Sequence, residues 1–197
     1  MQDVWYADDR DMVKWGVLVR LSDIFEAARI LQVAFWRPST FGHLLIDGQE
    51  HNLPREVIAH FRNVRMIGSL HTRARVTVFD PVFQDRDVYQ QAVLGLLRTF
   101  HEERCIVFLD PDIGLERQNH PTLDHVLETE ARAVWDAMKK GDVFAFYQHK
   151  TNRGARPWIE PKKLQLARAL GIAPDNIKEA LAPEIAGDVV VFYTQKT

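Results

Sequence analysis

The chain lacks several features that would narrow its class at once, and each absence excludes something. It has one cysteine, Cys105, in 197 residues, which rules out an intrachain disulfide and a cysteine-rich zinc site. No apolar run approaches the roughly 18 residues needed to span a bilayer. The opening from Met1 to Asp11 is acidic, with no basic stretch followed by an apolar one, so it does not read as a secretory signal. Neither sign of charge dominates: 25 Lys and Arg face 27 Asp and Glu, a net charge of -2. That gives no global case for binding nucleic acid. Linkers rich in Pro, Gly or Ser, low-complexity tracts and repeats are missing, so residues 1–197 read as one domain. Neither G-x-x-x-x-G-K nor G-x-G-x-x-G occurs, which argues against ATPases and dinucleotide oxidoreductases. The expectation is a cytoplasmic protein with no membrane partner.

What is present is an alternation of helical and strand-like segments. Met12, Trp15, Val19, Ile24 and Ala27 fall near helical spacing between Arg10 and Ala28, behind the acidic start Asp8-Asp9 that suits a helix N-terminus. Further helices are expected over about Pro54–Phe61, Asp87–Glu103, Leu123–Lys140 and Glu160–Leu170. Short apolar runs predict strands at Arg29–Trp36, Arg75–Phe79, Cys105–Leu109, Val143–Tyr147 and Asp188–Tyr193. Runs without polar alternation are buried on both faces, and strands separated by helices pair in parallel. The expected fold is α/β: a three-layer, open, mostly parallel, Rossmann-like sheet.

In such sheets ligands bind beyond the carboxyl ends of the strands. Those ends carry Trp36-Arg37-Pro38, Asp80-Pro81, Asp110-Pro111-Asp112 and Gln148-His149-Lys150-Thr151-Asn152-Arg153. Asp and Pro are ordinary strand terminators, so turn formation accounts for part of this. The functional reading makes Asp110, Asp112, His149 and Lys150 catalytic, with His149 as acid–base group and Lys150 stabilising charge. Gln148, Asn152, Arg153 and Trp158 would then meet substrate. A second reading places Mg²⁺ or Mn²⁺ on Asp110, Asp112 and Glu116, since two carboxylates two apart on a strand point the same way. Between Lys139 and Arg168 eight cations face only Asp142 and Glu160, a pattern that suits a phosphate-bearing partner as well as a solvated helix face. Cys105, at the head of a buried strand, reads as inert packing.

From Arg104 to Tyr193 the order of elements resembles the distal half of Rossmann-like methyltransferases, of the three-Cys-motif partner type. A strand ends in Asp110-Pro111, where the superfamily carries Asp/Asn-Pro-Pro-aromatic, and a helix, a glycine, an apolar strand, a helix and a final strand follow. The resemblance implies S-adenosylmethionine as cofactor, held near Trp36, Arg37 and Asp80. The turn after the first strand departs from the family, because Trp36-Arg37-Pro38-Ser39-Thr40-Phe41-Gly42 has no closely spaced glycines. The function expected from all this is an enzyme acting on a nucleotide or nucleic acid with a degenerate methyltransferase-like scaffold. A metal-dependent phosphodiesterase or nuclease and a non-catalytic nucleotide- or nucleic-acid-binding module are the alternatives.

Overall fold

The computed structural model describes residues 6–38, 43–61, 63–117, 122–150, 152 and 157–197. The elements run α1 (Asp9–Ile24), β1 (Arg29–Val33), β2 (His43–Ile46), β3 (Gln49–Asn52), α2 (Arg55–Phe61), a 3-10 helix (Val64–Ser69) and β4 (Arg75–Phe79). They continue with α3 (Arg86–Arg98), β5 (Cys105–Leu109), β6 (Gly114–Leu115), β7 (His125–Val126), α4 (Glu128–Ala137) and β8 (Val143–His149). The chain ends with α5 (Ile159–Leu170), a 3-10 turn (Pro174–Asn176), β9 (Lys178–Ala180), α6 (Pro183–Ala186) and β10 (Val189–Gln195). The central sheet has six strands in the order β4-β1-β5-β8-β10-β9. The first four are mutually parallel, while β10 runs antiparallel to both β8 and β9.

Alternation along the strands builds a core on each side of this sheet. Leu31, Val33, Val107, Leu109, Phe144, Phe146, Val190 and Phe192 face α3, α4 and α5 through Val93, Leu97, Val134, Leu166 and Leu170. Ile30, Ile106, Phe108, Val143, Ala145, Tyr147, Val189 and Val191 face α1 and α6 through Val13, Trp15, Leu18, Leu21 and Ala186. Strands covered on both faces have no polar side to show, hence their unbroken apolar runs. Each fully buried large side chain contributes about 1.5–3 kcal/mol.

Local chemistry sets the element ends. Asp8 and Asp85 cap α1 and α3 by accepting from Asp11 N and Val88 N, each at 3.0 Å. Gly171 closes α5 in the left-handed conformation, φ +65°. The long helix expected from Leu123 starts only at Glu128, because His125 and Val126 pair in parallel with Gly114 and Leu115 instead. Its expected glycine stop, Gly141, lies three residues beyond the C-cap Met138.

The last strand departs from the expected parallel sense. After α5 the chain first adds the three-residue edge strand β9, and β10 then inserts between β8 and β9 in the opposite direction. The β2–β3 hairpin was not foreseen, although Asp47-Gly48, with φ +53° and +81°, forms the two-residue loop that favours one. Among the described residues no helix is long and apolar enough to cross a membrane.

Candidate functional site

The chain leaves β1 for β4 on one side and returns to β5 on the other, so the segments after β1 and β5 diverge at the sheet's carboxyl edge. A sheet of this kind opens a crevice at that point of reversal. The crevice here holds a polar cluster on the α1 side.

At its buried end is Asp110, 0% exposed. It accepts from Lys14 Nζ at 2.9 Å and from Gln32 Nε2 at 2.7 Å. Lys14 also pairs with Asp11 Oδ1 at 2.6 Å and lies 4.5 Å over the Tyr147 ring. Burial works against the Lys14 charge, but Asp110 and Asp11 outweigh it and hold the ammonium charged, its pKa raised. Burial raises the Asp110 pKa, helped by Asp11 and opposed by Lys14. Asp110 and Asp11 thus share the Lys14 ammonium.

The outer end is His149, whose Nε2 is 3.1 Å from Asp188 Oδ2. Arg10 Nη2 donates to the same oxygen at 2.5 Å, and Arg10 Nη1 donates to Asp8 at 3.0 Å. Burial would raise the Asp188 carboxyl, yet Arg10 and His149 bring it below its ordinary range. Tyr147 joins the two ends: its hydroxyl feels Lys14, Asp110, Arg10 and Asp188, and burial pushes its pKa up.

The other expected site residues go elsewhere. Asp112 and Asp124 both accept from Arg37, which ties the segment after β1 to those flanking β6 and β7. Glu116 Oε1 accepts from Glu128 N at 2.8 Å and so satisfies the start of α4. The expected metal trio is therefore not assembled. β5 ends at Leu109, so Asp110 and Asp112 lie beyond the strand and lose the side-by-side direction that a strand imposes. Among the described residues no group of three or more His, Cys, Asp or Glu side chains gathers as a metal site.

Gln148, expected to meet substrate, points to the opposite face from Tyr147 and is fully buried. It accepts from Leu115 N at 3.0 Å and donates to the carbonyls of Ile113 and His149. That amide holds the strap at Gly114, whose φ is +134° and whose missing Cβ would lie 2.3 Å from Gln148 Oε1. Trp158 is half-buried against the α3–α5 core, and Lys150 and Asn152 are half-buried at the rim. Arg153 lies outside the described residues.

Four cations of the basic stretch from Lys139 to Arg168 are engaged within the chain. Lys139 pairs with Asp142 at 2.7 Å, Lys163 with Glu179 at 3.0 Å and Arg168 with Glu128 at 2.7 Å. Lys162 donates to the carbonyls of Leu115 and Glu116, both at 3.0 Å.

No protein-family model matches the chain, and no curated protein matches it.

Residues 34–38, the described part of the turn after β1, do not fit S-adenosylmethionine. Where the cofactor needs small residues and a bare backbone, Phe35 adopts φ +46° and donates its N–H to the Tyr89 hydroxyl at 2.8 Å. The Phe35 ring packs 5.1 Å from Phe83 and 5.2 Å from Tyr89. Both the space and the donor are taken by the chain's own side chains. Asp80, expected as the acid of that site, pairs with Arg65 at 2.6 Å, and Trp36 is half-buried, bridging to Val82. Cys105 is buried packing, with burial raising its thiol to about 12.

Residues Lys14, Asp11, Arg10, Gln32, Tyr147 and Asp188 escaped the sequence reading. Two carried a signal. Gln32 is the polar interruption in the apolar run Ile30–Trp36, and strand alternation puts Gln32 and Tyr147 on one face.

Proposed function

We propose that this protein is an enzyme acting on a nucleotide or nucleic acid at the carboxyl ends of its strands. Its scaffold is three-layered, Rossmann-like and methyltransferase-like in its distal half, and it works without S-adenosylmethionine. The scaffold reading is supported by helices on both sheet faces and by the reversal of chain direction beside β1. The observation that carries the activity is the Arg10–Asp188–His149 chain on the rim.

An ionised carboxylate only accepts, so Asp188 accepts a hydrogen bond from the Nε2–H of His149 and leaves Nδ1 as the proton-accepting atom. Arg10 keeps Asp188 ionised, which fixes that tautomer and holds the His149 ring in place. Lys150, the next residue along the chain, is the cation assigned to a phosphate, while Arg10 is held by Asp8 and Asp188. Asp110 has no surface exposed to substrate; it acts through Lys14 on α1 as a positioning residue.

The test is product formation, followed by chromatography, from nucleoside mono-, di- and triphosphates and short oligonucleotides. The wild-type protein is expected to turn over at least one of them. His149→Gln should lower kcat about 100-fold or more, and Asp188→Asn should lower it while shifting the acid limb of the pH–rate profile. Absence of turnover by the wild type, or full activity in His149→Gln, overturns the proposal.

A further inference from the structure

A cavity of about 530 Å³ opens between α1 and the 3-10 helix Val64–Ser69, within the ~300–1,000 Å³ range of small-molecule sites. Its walls are Tyr6, Met12, Trp15, Val19, Ile67 and Leu70, and the charged residues lining it are both acids, Asp8 and Asp11. Gly16 lies on the same wall. A glycine within a helix costs roughly 0.5–1 kcal/mol relative to alanine. Among the described residues nothing lies within 4 Å of where its Cβ would be, so no packing among them requires the small residue. Its effect is to leave the cavity open.

The acidic end of the cavity continues into the rim cluster, because Asp8 accepts from Arg10 at 3.0 Å and Arg10 donates to Asp188. Carboxylates at one end repel the anionic part of a ligand and attract a hydrogen-bond-donating edge. Apolar and aromatic walls suit a flat ring. We infer that this cavity takes the base of a nucleoside, specifically an amino-bearing base such as adenine, with its donor edge toward Asp8 and its sugar directed past Arg10 to His149. The inference rests on the functional reading above and names the substrate class within it.

The probes are adenosine and inosine, which differ at the 6-position: an amino donor against a carbonyl acceptor. Isothermal titration should show adenosine binding at least tenfold more tightly than inosine, since the Asp8 carboxylate can accept from an amino group but repels a carbonyl oxygen. Asp8→Asn keeps the helix cap and should narrow that ratio. Gly16→Leu projects a side chain into the cavity and should weaken adenosine binding at least tenfold without lowering Tm. Equal affinity for the two nucleosides, no adenosine binding by the wild type, or unaltered binding by Gly16→Leu overturns the inference. His149→Gln separates the two claims, because it should lower kcat about 100-fold or more while adenosine still binds more tightly than inosine. Turnover by the wild type with an unaltered KM in Gly16→Leu would overturn the cavity assignment and leave the enzyme reading standing.

Discussion

Replacing Lys14 with methionine should be among the costliest single changes in this protein, and the cost should depend on pH in a direction the structure dictates. The ammonium lies 2.6 Å from an Asp11 oxygen and 2.9 Å from an Asp110 oxygen. At an effective dielectric constant near 20, each attraction is worth roughly 6 kcal/mol gross, before desolvation is subtracted. Those two distances put the carboxylate oxygens at most about 5.5 Å apart, where their repulsion is about 3 kcal/mol or more. Without the cation the pair can escape by protonating one carboxyl. At pH 7 that costs about 4 kcal/mol for a group with an ordinary pKa near 3.9, which caps the electrostatic penalty. Lys14→Met should therefore destabilise by about 3–4 kcal/mol at pH 7, in keeping with the usual cost of breaking a buried pair. For a chain of this length that is a fall in Tm of about 6–16 °C.

In the variant the Asp110 pKa rises further above its unfolded value. Between those two values the native state binds more protons than the unfolded state, so stability falls as pH rises and recovers toward pH 4–5. Asp110→Asn should cost far less, under about 1.5 kcal/mol. It removes one of the two competing carboxylates, and Gln32 Oε1, buried with no hydrogen-bond partner among the described residues, can turn to receive the new amide. The double variant should regain about 2 kcal/mol or more over the sum of the single changes. Urea unfolding followed by tryptophan fluorescence at pH 5 and pH 7 measures all four proteins. A Lys14→Met cost below about 1 kcal/mol at pH 7, or the same cost at pH 5, would refute the argument.

Burial lowers the Lys162 pKa to about 8. The unfolded state then binds more protons between pH 8 and about 10.4, and stability should rise with pH across that window, by at most about 1.4 kcal/mol per unit. Lys162→Met should flatten that rise in denaturant titrations at pH 7.5, 9 and 10. Gly114→Ala forces a Cβ to 2.3 Å from Gln148 Oε1 at φ +134°, and should cost about 2 kcal/mol or more by chemical denaturation. Millimolar S-adenosylmethionine should leave Tm unchanged, because Phe35, Phe83 and Tyr89 fill the turn after β1. A rise of several degrees would contradict that reading.

Much of the fold was legible because buried strands and capped helices announce themselves locally. Arg75–Phe79 and Cys105–Leu109 agree with the sequence boundaries residue for residue, since each apolar run is closed by Asp-Pro, which cannot continue a ladder. The acidic start at Asp8 and the glycine at 171 marked helix ends for the same reason. Short elements were missed where partner choice outweighs local preference: two-residue β6 and β7, and the exposed edge strand β9.

The residue types at the rim were visible in the sequence, but their partners were not. Asp110 and His149 stand at strand ends and could be picked out. That Asp110 meets Lys14 across 96 positions, and His149 meets Asp188, follows from α1 lying over β5 and from β10 inserting antiparallel beside β8. Reading Gln148 as a ligand contact failed because strand alternation turns it to the α3–α5 side, where it braces Gly114. Composition and periodicity determine which segments are strands and helices, because burial on one or two faces leaves a local pattern. Which charge neutralises which, whether the turn after β1 is open or filled, and where a cavity remains beside Gly16 depend on contacts between distant segments, and only the packed structure decides them.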